Sequence, residues 1–149
     1  MVPATLSRRG GGYARGVRVL VTGATGYVGG RLVPRLLERG HQVRVLVRDE
    51  TRLAGRPWAG RVEVVRGSLE DEGALRRALE GAEAAYYLVH AMLSEKPFQE
   101  AERRQAEAFA RVGREAGLGH VVYLGGLLPK EGKPSPHLRS RAQVGEILR

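Results

Sequence analysis

The chain contains no cysteine. Disulfides, thiolate metal sites and cysteine nucleophiles are therefore excluded, although this by itself assigns no compartment. No apolar run approaches the roughly 18 residues that suggest a spanning helix. The leading residues lack the apolar centre of a secretory signal. A cytoplasmic location is accordingly the expectation, with no membrane span. Histidine is sparse: His41, His90, His120 and His137 are scattered, with no pair at ligand spacing, so no metal site is implied. No internal repeat of roughly 20–50 residues is visible. Lysine is scarce as well. Lys96, Lys130 and Lys133 are the only lysines among 25 basic residues, so a single arginine carries little information by position alone.

What remains is a chain of 149 residues, 42% hydrophobic and 28% charged, the size and composition of one globular domain. The net charge is +9, and it is concentrated at the ends. Residues 1–18 hold Arg8, Arg9, Arg15 and Arg18 with no acid, and residues 130–149 hold five bases against Glu131 and Glu146. The body between them is nearly balanced. Basic ends can attract nucleic acid or an anionic surface. No recognised nucleic-acid-binding module is present, so they read as solvated tails and a nucleic-acid partner is not expected. Residues 1–16, with Arg8-Arg9 and Gly10-Gly11-Gly12, read as a flexible basic leader. Residues 17–149 read as the folded domain.

From residue 17 short apolar runs alternate with helical patterns. Val17–Val21 reads as a buried strand ending in Thr22-Gly23. Val28, Leu32, Val33, Leu36 and Leu37 follow at helical spacing, with Gly40 as the stop. Pro34 lies inside that helix, where it removes the bond to the carbonyl of Gly30, at a cost of about 3 kcal/mol unless other contacts compensate. Further strands are expected at 42–47, 62–66, 84–89 and 121–124. Helices are expected at 71–80, 97–116 and 137–148. Residues 49–60 read as a polar connection. Strands that alternate with helices, several of them continuously apolar, predict a parallel sheet covered on both faces. The fold class is α/β, a three-layer Rossmann fold with strand order 3-2-1-4-5 and a crevice between the first and fourth strands.

The strongest local signal is Thr22-Gly23-Ala24-Thr25-Gly26-Tyr27-Val28-Gly29. It begins where the first strand ends and runs into the first helix, the context a dinucleotide reading requires. Gly23 allows a tight turn. Gly26 allows backbone to approach a pyrophosphate. Gly29 allows the helix to pack close to the sheet. The first helical N–H groups have no partner within the helix and can bind an anion. No Gly-Lys-Ser/Thr ending follows, so this is not a nucleoside-triphosphate loop. The candidate coenzyme contacts here are Gly23, Thr25, Gly26, Tyr27, Val28 and Gly29. The residue reaching the adenosine ribose should lie about 20 residues further on, where Arg48 stands beside Asp49. An arginine offers a planar fork to a 2′-phosphate, so NADP is expected, with NAD as the alternative.

These residues carry a resemblance. Thr22–Gly29, followed by Arg31-Leu32 and Leu36-Leu37, is similar to extended or atypical short-chain dehydrogenases/reductases. The nearest in pattern are NmrA-like proteins and the nucleotide-binding accessory subunit of respiratory complex I. The resemblance runs from Val17 to about Leu148, with further landmarks at Val47-Arg48-Asp49, Val65–Asp71 and Val122–Gly126. It implies a nicotinamide dinucleotide as ligand. It also implies that Ser68-Leu69 stand beside the adenine, where the family usually has Asp-Leu, and that His90 lies in the turn beneath the coenzyme riboses.

Hydride-transferring members of the resembled family use Tyr-x-x-x-Lys on the helix after the fifth strand, with a Ser just after that strand. Here His137 stands in the Tyr place, Arg141 in the Lys place and Gly125-Gly126 in the Ser place. His137 and Arg141 are the catalytic candidates this correspondence gives. The reading is an NAD(P)-binding domain of an oxidoreductase- or epimerase-type protein with degenerate catalytic residues. The alternative is a noncatalytic dinucleotide-binding sensor or assembly module. The substrate, an unidentified small molecule, would be chosen by a substrate-binding part missing after Arg149. The resemblance also implies a homodimer through the long helix and the last one, with Ala101, Ala106, Ala110 and Gly113 small enough for close packing.

Overall fold

The strands are four to six residues long. A computed structural model describes residues 16–89, 98–127, 129 and 132–149. The leader, apart from Gly16, and His90 lie outside the described residues. The strands are β1 (Arg18–Thr22), β2 (Gln42–Val47), β3 (Glu63–Arg66), β4 (Ala84–Tyr87) and β5 (His120–Tyr123). The helices are α1 (Tyr27–Glu38), α2 (Glu72–Leu79), α3 (Phe98–Glu115) and α4 (Pro136–Ile147). All neighbouring strands are parallel, in the order β3-β2-β1-β4-β5. The expected three-layer fold and strand order are those observed.

Side chains alternate across the sheet, as a strand repeat of two requires. Val19 and Val21 of β1 face α1, together with Val43, Val45 and Val47 of β2, against Val33 and Leu36. Leu20 and Leu46 face the other way, with Ala85 and Tyr87, against α2, α3 and Val144 of α4. On that second face Tyr87 meets Phe109 edge to face at 5.0 Å and Tyr123 at 5.9 Å.

The connection from β2 to β3 differs from its reading as a polar link. It contains two 3₁₀ turns, Glu50–Leu53 and Ala59–Arg61, and buries Leu53 and Trp58 in the α1-side core. It occupies the position of a covering helix. Only two apolar anchors, five residues apart, mark it in the sequence, so no periodicity betrays it.

Two buried polar groups also escape a pattern of apolar residues. Arg44 points from β2 to the C-terminal end of α2, where its Nη1 donates to the carbonyls of Arg77, Ala78 and Glu80 at 3.0, 2.9 and 2.7 Å. These carbonyls lack partners within the helix, and a cation suits that end of the helix dipole. Its Nε faces Glu63 Oε2 at 2.9 Å as an ion pair, without hydrogen-bond alignment. Glu102 of α3 is buried and accepts from the Ser140 hydroxyl of α4.

The small-residue stripe on α3 lies largely within the chain. Ala101, Ala106 and Gly113 are buried, Ala106 in the core beneath the sheet. Ala110 is half-buried, and α3 also packs along α4.

Candidate functional site

In a parallel sheet every strand ends at the same edge. Here that edge collects the glycine turn after β1, Arg48 after β2, Ser68 and Leu69 after β3, Val89 after β4 and Gly125-Gly126 after β5. Strands β2 and β4 flank β1 on opposite sides, which makes the end of β1 the switch point of the sheet, the place where parallel sheets take their ligands. Thr22 braces this point: its hydroxyl donates to the Tyr86 carbonyl at 3.2 Å and accepts from the Leu88 N–H at 3.3 Å.

The bend is built from bare backbone. Gly23 has φ +76°, and a Cβ there would stand 2.9 Å from the Leu88 carbonyl oxygen. The N–H of Gly26 donates to the Gly23 carbonyl at 3.1 Å, closing the turn. Gly26 is the N-cap of α1, with no side-chain cap and no acid in the first helical turn. A Cβ on Gly29 would lie 2.3 Å from the Gly23 oxygen. The close surface that Gly29 permits is therefore the bend itself, rather than the sheet. Gly26, Tyr27 and Val28 are exposed, and Thr25 is half-buried. The Tyr27 ring carries the Arg31 guanidinium 4.0 Å from its centre. The result is an uncapped helix start with no acid in its first turn and the Arg31 guanidinium beside it, an arrangement suited to an anion.

At the end of β2, Arg48 is exposed. Asp49 is turned into its own 3₁₀ turn, where its carboxylate accepts from the Thr51 hydroxyl at 2.6 Å and the Thr51 N–H at 3.0 Å. Those bonds, the hydroxyl first, with Arg52 and Arg66 nearby, hold the Asp49 carboxyl below its ordinary pKa. Ser68 Oγ accepts from the Glu70 N–H at 3.2 Å, and the Leu69 side chain is in the core.

His137 lies in the first turn of α4, exposed, its ring stacked on Phe98 at 4.6 Å. Ser135 caps this helix by accepting from the Leu138 N–H at 3.3 Å. Arg141 is one turn further along. It stands against Gly126, where an added Cβ would meet Arg141 Cδ at 3.3 Å. Burial raises the pKa of Tyr123, with Arg141 opposing and Glu102 assisting. Burial also raises Tyr87, with Tyr123 and Glu102 adding to it. Neither phenol is poised to release a proton near neutral pH. Among the described residues, no group of three or more His, Asp or Glu is placed to hold a metal.

Three residues near the bend were missed from sequence. Arg56 Nη2 donates to the Thr25 carbonyl at 2.7 Å. Trp58 Nε1 donates to the Gly30 carbonyl at 3.2 Å. That carbonyl is the one Pro34 cannot serve. Gly30 leaves the space that Arg56 fills, since a Cβ there would lie 2.1 Å from Arg56 Nη1. The proline was the available signal, because a carbonyl deprived of its helical donor needs another one.

Comparison with known proteins agrees with this geometry. The model of the NmrA-like family matches residues 16–149. The chain is 35% identical over 128 residues to (4-alkanoyl-5-oxo-2,5-dihydrofuran-3-yl)methyl phosphate reductase of Streptomyces griseus, covering 86% of this chain and 41% of that protein. It is 34% identical over 121 residues to dihydroflavonol 4-reductase of Zea mays, covering 73% and 34%. Among solved structures, Citrobacter sp. triphenylmethane reductase complexed with NADP(H) superposes with a TM-score of 0.73 at 22% identity, over 88% of this chain and 45% of that one. A short-chain dehydrogenase/reductase superfamily protein from Agrobacterium tumefaciens with bound NAD gives 0.67 at 25% identity, over 88% and 44%. The chain thus spans less than half the length of these proteins.

Proposed function

Because the chain belongs to the NmrA-like family, we propose that it is the coenzyme-binding part of a short-chain dehydrogenase/reductase-like protein and holds NADP(H), with NAD(H) as the alternative. The observation that carries this is the bend at Gly23–Gly29, which opens into an uncapped helix start at the switch point of the sheet. The residues fit the group. A side chain at Gly23 or Gly29 would collide with backbone, and Gly26, Tyr27 and Val28 stand open to solvent. The first N–H groups of α1 would hold the diphosphate. Arg48 would take the 2′-phosphate through its fork, while Asp49 is engaged by Thr51 and does not compete for the ribose. Ser68 and the backbone at Leu69 would flank the adenine, and His90 the riboses. The relatives solved with NADP(H) and with NAD support a nicotinamide coenzyme of either kind.

When bound, such a coenzyme supplies or accepts hydride. Arg141 would hold its ribose or phosphate, and His137 would exchange a proton with a small substrate. An oxidoreductase or epimerase-type activity follows from that reading. A second reading, a noncatalytic sensor or assembly module, is favoured by the stack of His137 on Phe98 and by glycines in the place of the expected serine. No helix among the described residues is long and apolar enough to cross a membrane; a cytoplasmic location belongs to the proposal. A homodimer through α3 and α4 is part of the same proposal, and sedimentation equilibrium tests it.

Titration with NADPH and NADH, followed by thermal shift, tests the coenzyme. A ligand at about 100 times its Kd stabilises by about 2.7 kcal/mol. The expected result is a preference for NADPH that Arg48→Ala abolishes. An equal shift with both coenzymes, unchanged in Arg48→Ala, contradicts the role of Arg48. Turnover of carbonyl substrates, read by nicotinamide absorbance and lost in His137→Ala, separates the enzyme from the noncatalytic module.

A further inference from the structure

Resting on that reading, we infer that Arg56, seated in the gap left by Gly30 and steadied by Trp58, is a positioning residue for the peptide that leads into the diphosphate cradle. The Thr25–Gly26 peptide is gripped at both ends. Its N–H donates to the Gly23 carbonyl at 3.1 Å, and its carbonyl accepts from Arg56 Nη2 at 2.7 Å. A peptide is planar, so two bonds on opposite sides fix the plane's rotation. That plane sets the direction in which the next N–H groups, those of Tyr27, Val28 and Gly29, point. Arg56 acts through this peptide and not by touching the diphosphate.

The sequence elements for this grip lie far apart. Arg56 and Trp58 come from the β2–β3 connection. Trp58 is buried, and its Nε1 donates to the Gly30 carbonyl at 3.2 Å. The Arg56 guanidinium stands 5.9 Å from the Trp58 ring centre, within range of a cation–π contact. Glycine at position 30 is poor for a helix interior. Here its missing side chain is the seat of the guanidinium. The collision partner is the end of a flexible side chain, so a methyl at 30 would displace Arg56 and leave the helix in place.

This gives a test in which stability and binding move apart. The dissociation constants of NADPH and NADH are measured for the unsubstituted chain, Arg56→Gln, Gly30→Ala, the double variant and Arg56→Lys. Each single variant is expected to weaken both coenzymes by the same factor, about tenfold, the scale of one hydrogen bond from a charged donor. The double variant is expected to be no worse than either single one, because both remove the same contact. Gly30→Ala is expected to change Tm little, since the better helix propensity of alanine offsets much of the lost Arg56–Thr25 bond. Arg56→Lys is expected to restore most of the affinity. The Arg56→Gln and Arg56→Lys pair carries the test without altering the helix backbone. Loss confined to NADPH would show Arg56 contacting the 2′-phosphate directly and overturn the inference. Additive losses, or a Gly30→Ala variant that binds as before, overturn it too. Binding of neither coenzyme by the unsubstituted chain overturns the functional reading first, and this inference with it.

Discussion

Pro34 should make α1 depend on a side chain far away in sequence, and Trp58→Phe measures that dependence. In an unbroken helix residue 34 would donate to the carbonyl of Gly30; proline has no N–H. Trp58 Nε1 takes that role at 3.2 Å. Phenylalanine keeps most of the buried ring but removes the donor. The lost bond amounts to about 1 kcal/mol, and leaving the carbonyl unpaired adds about 1–3 kcal/mol where water cannot reach it. A total of about 2 kcal/mol, the low end of that sum because Gly30 is only half-buried, is expected. In a Pro34→Ala background the new N–H can serve Gly30, so the same Trp58→Phe change should cost about 1 kcal/mol less. Trp58 is the only tryptophan, so unfolding in urea is followed by circular dichroism rather than fluorescence. Equal costs in the two backgrounds would refute the reasoning, because Trp58 would then act through packing alone.

Other perturbations probe the packing and the charges. Arg44→Met leaves three carbonyls at the end of α2 without their shared donor and is expected to cost about 3 kcal/mol in urea unfolding, the scale of a broken buried charge site; a loss below about 1 kcal/mol would contradict the capping role. Glu72 is bonded by Arg111 and by Arg76, and these bring its pKa from 4.5 to about 2. A carboxyl depressed in the fold contributes stability that is present above its unfolded pKa and lost as pH falls through its folded one. Its share is therefore lost between pH 4.5 and about 2; carboxyl NMR should find Glu72 titrating near the lower value and moving up in Arg111→Gln, and titration at the ordinary value would contradict the ion network. Ser140→Ala removes the buried donor to Glu102 and is expected to cost about 2 kcal/mol, the scale of a bond to a charged group; unchanged stability would show that this bond contributes nothing.

The layer order was legible because it depends on patterns that repeat. Val17–Val21 and Gln42–Val47 are too apolar for a surface strand, and Ala74, Leu75, Ala78 and Leu79 all lie on the buried face of α2 as their spacing requires. The glycine turn was legible because its position between strand and helix limits what three glycines can do. The β2–β3 connection was not. Leu53 and Trp58 carry its packing, and two anchors in an irregular segment form no period. Arg44 and Glu102 were invisible for a related reason: their burial depends on partners from other elements, carbonyls of α2 in one case and Ser140 in the other. Near the site, Pro34 marked the Gly30 carbonyl as lacking its helical donor, but nothing in the sequence said that Trp58 would serve it or that Arg56 would fill the space beside Gly30.

The most direct test is an amide NMR titration of the labelled chain with NADPH. The largest shifts are expected at the N–H groups of Gly26, Tyr27, Val28 and Gly29, with smaller ones at Arg48. Saturable binding that leaves those four amides unmoved, or no binding at all, would contradict the assignment of the glycine bend as the diphosphate site.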